Sequence, residues 1–110
     1  MRMLESLSMA GVRQAVLASQ DGLVIESTGK TTPEPELLAA ELAALARASR
    51  TLTRHLGGEL RRFTLATEHR EVLVVVFNGY CLGAVVEKGS DRKSIGQELS
   101  RLALRLAQSL

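Results

Sequence analysis

The sequence predicts an α+β domain in which a mainly antiparallel sheet is covered by helices on both faces. Three observations carry this reading. Asp21-Gly22 and Asn78-Gly79 are hairpin turns, each joining two apolar-rich segments. Two segments with leucines at helical spacing, one from Leu37 to Leu56 and one from Ile95 to Leu106, separate and close the strand groups. The run Val72-Leu73-Val74-Val75-Val76-Phe77 is apolar throughout and mostly β-branched, so it reads as a strand buried on both faces. Such a strand requires cover above and below. The expected order is α-β-β-α-β-β-β-α, within a single domain spanning 1–110.

Each element has its own local signal. Met3, Leu4 and Leu7 allow one or two helical turns before Gly11. Val12 to Ser19 reads as a strand that turns at Gln20-Asp21-Gly22 and returns from Leu23 to Ser27. The loop Thr28 to Pro35 leads into a helix from Glu34 or Pro35. Proline suits its first turn, and Glu34 and Glu36 suit the positive end of its dipole. Gly57-Gly58 stops that helix after Leu56. Leu60 to Thr67 alternates as a strand, with Phe63 and Leu65 on one face and Arg62, Thr64 and Ala66 on the other. Val72–Phe77 and Tyr80–Val86 form the second hairpin, and Gly83 reduces bulk in mid-strand. Ser90 or Asp91 caps a last helix running to about Ser109, with Ile95, Leu99, Leu102 and Leu106 on its core stripe.

Composition bounds the function. A chain of 110 residues buries roughly 60–70% of its extended surface, enough for a core without disulfides or metals. Aromatics make up only 3%, so the core is aliphatic. A net charge of +2 lacks the basic stripe that nucleic-acid binding requires. No apolar run approaches the roughly 20 residues of a membrane span, and the N-terminus lacks a signal peptide's apolar stretch. Cys81 has no cysteine partner in the chain. Together these features lead to the expectation of a cytoplasmic protein that binds neither membrane nor nucleic acid.

The sequence carries no expected catalytic or metal site and no cofactor. Cys81 lies in an apolar strand, where a thiol acts as a small hydrophobe. His55 and His69 are far apart, the acidic residues are scattered, and no phosphate-loop, dinucleotide, nucleophile-elbow or zinc motif occurs. The chain is therefore expected not to be an enzyme.

The middle helix is where interaction is expected. Leu38, Leu42, Leu45, Leu52 and Leu56 form one stripe, interrupted at Ser49, that would dock on the sheet. Its other faces carry Leu37, Ala39, Ala40, Ala43, Ala44, Ala46 and Ala48, and Glu41 is the sole charge from Leu37 to Ala46. A helix apolar all round is usually buried all round. A second copy of the chain is the economical cover, with Leu37, Ala40, Ala44, Ala48 and Thr51 on the contacting side. Alanine's helix propensity offers the plainer explanation. Arg47, Arg50 and Arg54 cluster away from the leucine stripe and read either as a docking patch for an acidic partner or as a solvated face.

Three stretches resemble the roadblock family, the dynein light-chain superfamily that includes prokaryotic regulators of Ras-like GTPases. They are the hairpin Gly11 to Ile25 with its Asp-Gly turn, the alanine-leucine helix before Gly57-Gly58, and the closing helix from Gly89 to Leu106. The resemblance implies a profilin-like three-layer α/β/α sandwich with a five-stranded antiparallel sheet. It also implies a homodimer paired through the third strand, with Phe63 and Leu65, and through the middle helix. Several members dock on Ras-like small GTPases, the bacterial MglB-type polarity regulators among them, while others are scaffolds or light chains. The first helix is short and nothing follows Leu110, so surfaces that longer relatives build there are expected to be missing. The expected function is a non-catalytic homodimer that modulates a Ras-like GTPase. The alternatives are a scaffold without effect on GTP turnover and a small sensory domain.

Overall fold

A computed structural model of the chain describes residues 2–110. Glu5–Leu7 forms a single 3-10 turn. Strands β1 (Val12–Ala18) and β2 (Val24–Gly29) precede helices α1 (Pro35–Ala48) and α2 (Arg50–Leu56). Strands β3 (Arg62–Ala66), β4 (Arg70–Phe77) and β5 (Tyr80–Glu87) follow, and α3 (Arg92–Ser109) closes the chain. The five strands form one antiparallel sheet in the order β2-β1-β5-β4-β3. The expected class, strand count and element order are all present, with boundaries within about two residues.

Two apolar clusters, one on each sheet face, make the three layers. On one face α3 and the 3-10 turn bury Leu4, Leu7, Ile95, Leu99, Leu102 and Leu106 against Ala15, Leu17, Leu82 and Ala84. On the other, α1 buries Leu38, Ala39 and Leu42 against Val16, Ala18, Val74, Cys81 and Val85. Alternate residues of β1 and β5 point to opposite clusters, so both strands are covered on both sides. β5 best fits the doubly buried description, with Cys81 to Val86 all buried. In β4 only Leu73 and Val74 reach that state, because β4 lies one strand nearer the sheet edge.

Local chemistry holds the ends. Asn78 and Gly79 both take positive φ, 48° and 83°, as a type I′ turn requires. Pro35 opens α1 at its first position, where its missing N–H costs nothing, and Leu38 donates its amide to the Glu34 carbonyl. Asp91 caps α3 by accepting from the Ser94 amide at 3.1 Å. Glu26 accepts the Met3 and Leu4 amides at 3.1 and 2.8 Å, which ties the N-terminal turn to β2.

The middle helix departs from expectation. It is two helices, broken at Ser49, whose Oγ donates to the Ala46 carbonyl at 2.9 Å. A serine on the leucine stripe offers no apolar contact and competes for a helical carbonyl, so the stripe fails there. α2 contains no buried residue. Leu38 and Leu42 are core residues as expected, but Leu45, Leu52 and Leu56 are 39%, 63% and 76% exposed.

Candidate interaction surface

The surface begins at β3, which hydrogen-bonds to β4 on one side and is open on the other. Its pairing register sets its faces. Phe63 lies opposite Val74 and Leu65 opposite Val72, on the α1 side of the sheet. Arg62, Thr64 and Ala66 lie opposite Val75, Leu73 and Glu71, on the α3 side. Phe63 is half-buried against the α1 cluster, whereas Leu65 is 50% exposed. An open edge strand carrying exposed apolar side chains is a template for pairing with another chain.

α1 and α2 extend this surface. Leu37 is 56% exposed, Ala40, Ala48 and Thr51 are exposed, and Ala44 is half-buried. With Leu45, Leu52, Leu56 and Leu65, α1, α2 and β3 carry five of the nine large exposed apolar side chains among the described residues. Isolated exposed leucines are ordinary; their concentration on three successive elements makes these elements the candidate contact surface. The sequence assigned Leu45, Leu52 and Leu56 to the core, and thereby missed them as surface candidates. The signal that could have found them was Ser49, a polar residue in the middle of the leucine stripe.

The three arginines are divided by the Ser49 break. Arg47 ends α1 and donates from Nη1 to the Gln20 carbonyl at 3.2 Å, bracing the β1–β2 hairpin. Arg50 and Arg54 stand on α2. All three are exposed, and among the described residues none forms an ion pair.

His55 and Cys81 are engaged or shielded, while His69 is exposed in the β3–β4 turn. His55 Nδ1 lies 2.8 Å from the Thr51 carbonyl. Cys81 is buried in β5, and burial pushes its thiol above the usual range, with Arg47 opposing weakly. Such a thiol is a packing residue rather than a nucleophile. Among the described residues no group of acidic, histidine and cysteine side chains could hold a metal ion, and no helix is long and apolar enough to cross a membrane.

Comparison with known proteins places this geometry. The Roadblock/LC7 domain model matches residues 2–86. No curated protein matches the sequence. Among solved structures, a Roadblock/LC7 domain from Streptomyces avermitilis is similar at 22% identity and a TM-score of 0.87, over 97% of this chain and 93% of that one. An MglB in a tetrameric arrangement matches at 21% identity and a TM-score of 0.87, over 96% and 83% of the two chains. The gliding protein MglB of Thermus thermophilus matches at 21% identity and a TM-score of 0.83, over 98% and 87%.

Proposed function

The chain belongs to the Roadblock/LC7 domain family, and from that premise we propose that it works as a non-catalytic homodimer that binds a Ras-like small GTPase. One observation carries the reading: the concentration of exposed leucines on α1, α2 and the open edge of β3. Pairing two chains through β3 would continue the sheet and satisfy its free backbone groups. It would also bring two α1–α2 segments side by side, where Ala40, Ala44 and Ala48 permit close approach. Leu52 and Leu56, with Arg50 and Arg54, would then flank the paired helices as an apolar surface rimmed by charge, the composition of a protein docking site.

The resemblance to MglB supports a GTPase as the third protein. The test mixes the purified chain with a Ras-like GTPase from the same genome, loaded with GDP or with a non-hydrolysable GTP analogue. Co-elution in one nucleotide state and altered GTP turnover are expected. No complex in either state would refute the reading, and a complex without change in turnover would leave a scaffold.

A further inference from the structure

On the sheet face opposite α1, a trough of about 430 Å³ runs between α3 and the β3–β4 pair, and it opens into a wider one along the outer flank of α3. We propose that this trough docks an acidic, extended peptide segment of a partner protein.

Charge is the first argument. Four cations line the trough: Arg62 from β3, Arg92 and Lys93 from the first turn of α3, and Arg101 further along that helix. Two are already answered, Arg92 by Glu71 at 2.8 Å and Arg101 by Glu98 at 2.9 Å. Arg62 and Lys93, on opposite walls, have no acidic partner among the described residues. Arg92 and Lys93 add to the positive end of the α3 dipole, which the Asp91 cap offsets only in part because its oxygens are engaged by the Ser94 amide and hydroxyl. A carboxylate seated between the walls would offset that positive charge and meet Arg62 as well.

Shape is the second argument. The floor is Leu73 and Val75 of β4 beside Thr64 of β3, and the α3 wall carries Gly96 and Ser100. A Cβ at Gly96 would meet nothing within 4 Å, so the wall is flat where a peptide backbone would lie. At the far end Leu104 stands 71% exposed. From Arg92 to Leu104 the helix rises roughly 18 Å, the span of about five or six extended residues. The complementary segment has carboxylates at the Lys93 end and an apolar side chain at the Leu104 end. The trough is lined by one chain on the sheet face away from α1, but Arg62 stands on β3, the strand proposed as the dimer seam. Gel filtration of each variant therefore accompanies the binding measurement, and a fall in affinity counts only where the oligomeric state is unchanged.

Short random peptides displayed on phage, panned against the whole protein, test this, with fluorescence anisotropy of the selected peptides as the readout. Selected peptides are expected to be rich in Asp and Glu followed by an apolar residue. Their affinity should fall as salt rises, and by about tenfold or more when Arg62→Glu is combined with Lys93→Glu. Leu104→Ser should weaken them too. All three positions are exposed, and a thermal melt of each variant checks folding, with the neutral pair Arg62→Gln and Lys93→Gln as the substitute for any variant that misfolds. Peptides without acidic enrichment would overturn the proposal, as would peptides that bind the altered trough as tightly as the original. So would binding to phosphatidylserine vesicles with no peptide selected.

Discussion

Leu42 and Gly83 are packed as a pair: a Cβ on Gly83 would stand 2.7 Å from Leu42 Cδ1, with Val74 and Val72 methyls at 3.6 and 3.7 Å. Leu42 is the α1 side chain that enters the sheet at its centre, and the glycine in β5 is what lets it do so. Glycine is otherwise unfavourable in a strand by roughly 0.5–1 kcal/mol. Here close packing outweighs that cost. Gly83→Val is expected to lower stability by about 1–3 kcal/mol through overpacking, a Tm loss of roughly 4–8 °C per kcal/mol. Thermal unfolding followed by circular dichroism would show it, and an unchanged Tm would mean that α1 can shift off β5 freely.

The leucine surface makes a prediction about association. Ala44→Arg should place an uncompensated charge in a helix–helix contact and weaken self-association by roughly 3 kcal/mol, about two orders of magnitude in Kd. Leu65→Asp should act similarly at the β3 edge, while its 50% exposure in the single chain keeps folding nearly unaffected. Light scattering coupled to gel filtration reads both. Variants that elute as stable dimers would place the dimer contact elsewhere.

Leu56→Ser separates the two roles of the middle helices. The side chain is 76% exposed, so chain stability should change by no more than about 0.5 kcal/mol. Capture of the GTPase should fall. Equal loss of stability and binding would show that α2 belongs to the core after all.

Asp91 links stability to pH. Hydrogen bonds from the Ser94 side chain and then from the Ser94 and Lys93 amides hold its carboxyl below the usual carboxylate range. A depressed folded pKa means that the stabilisation is present above the unfolded carboxylate pKa and is lost as pH falls through the folded one. The Tm difference between the original chain and Asp91→Ala should therefore be greatest near neutrality and shrink in acid. A difference that persists unchanged at low pH would exclude capping as its cause.

Cys81 should resist thiol reagents in the folded chain and react on unfolding, because burial disfavours the thiolate. The sign of its pH linkage is opposite to that of Asp91. A raised thiol pKa contributes stability that is fully present below the unfolded value and is lost as pH rises through the folded one. Labelling kinetics with and without denaturant would check this, and rapid labelling of the native chain would contradict it.

Sequence was enough for the strands, their hairpins and their order along the chain, whereas the pairing of β1 with β5 at the centre of the sheet is non-local. Period-two alternation in Arg62–Ala66, the Asn78-Gly79 turn and the leucine stripe of α3 are local signals, and each depends on neighbours a few residues away. The family resemblance rested on the same local patterns in sequence. What could not be read locally was which apolar residues would find cover. Leu45, Leu52 and Leu56 share a stripe with Leu38 and Leu42, yet only the last two lie over β5 and β1. Hydrophobic periodicity states that a face seeks burial, and the reach of the packed sheet decides where burial ends. The basic trough was hidden for a related reason. Arg62 lies some thirty residues from Arg92 and Lys93, and only antiparallel pairing of β3 with β4 beneath α3 sets them across one groove.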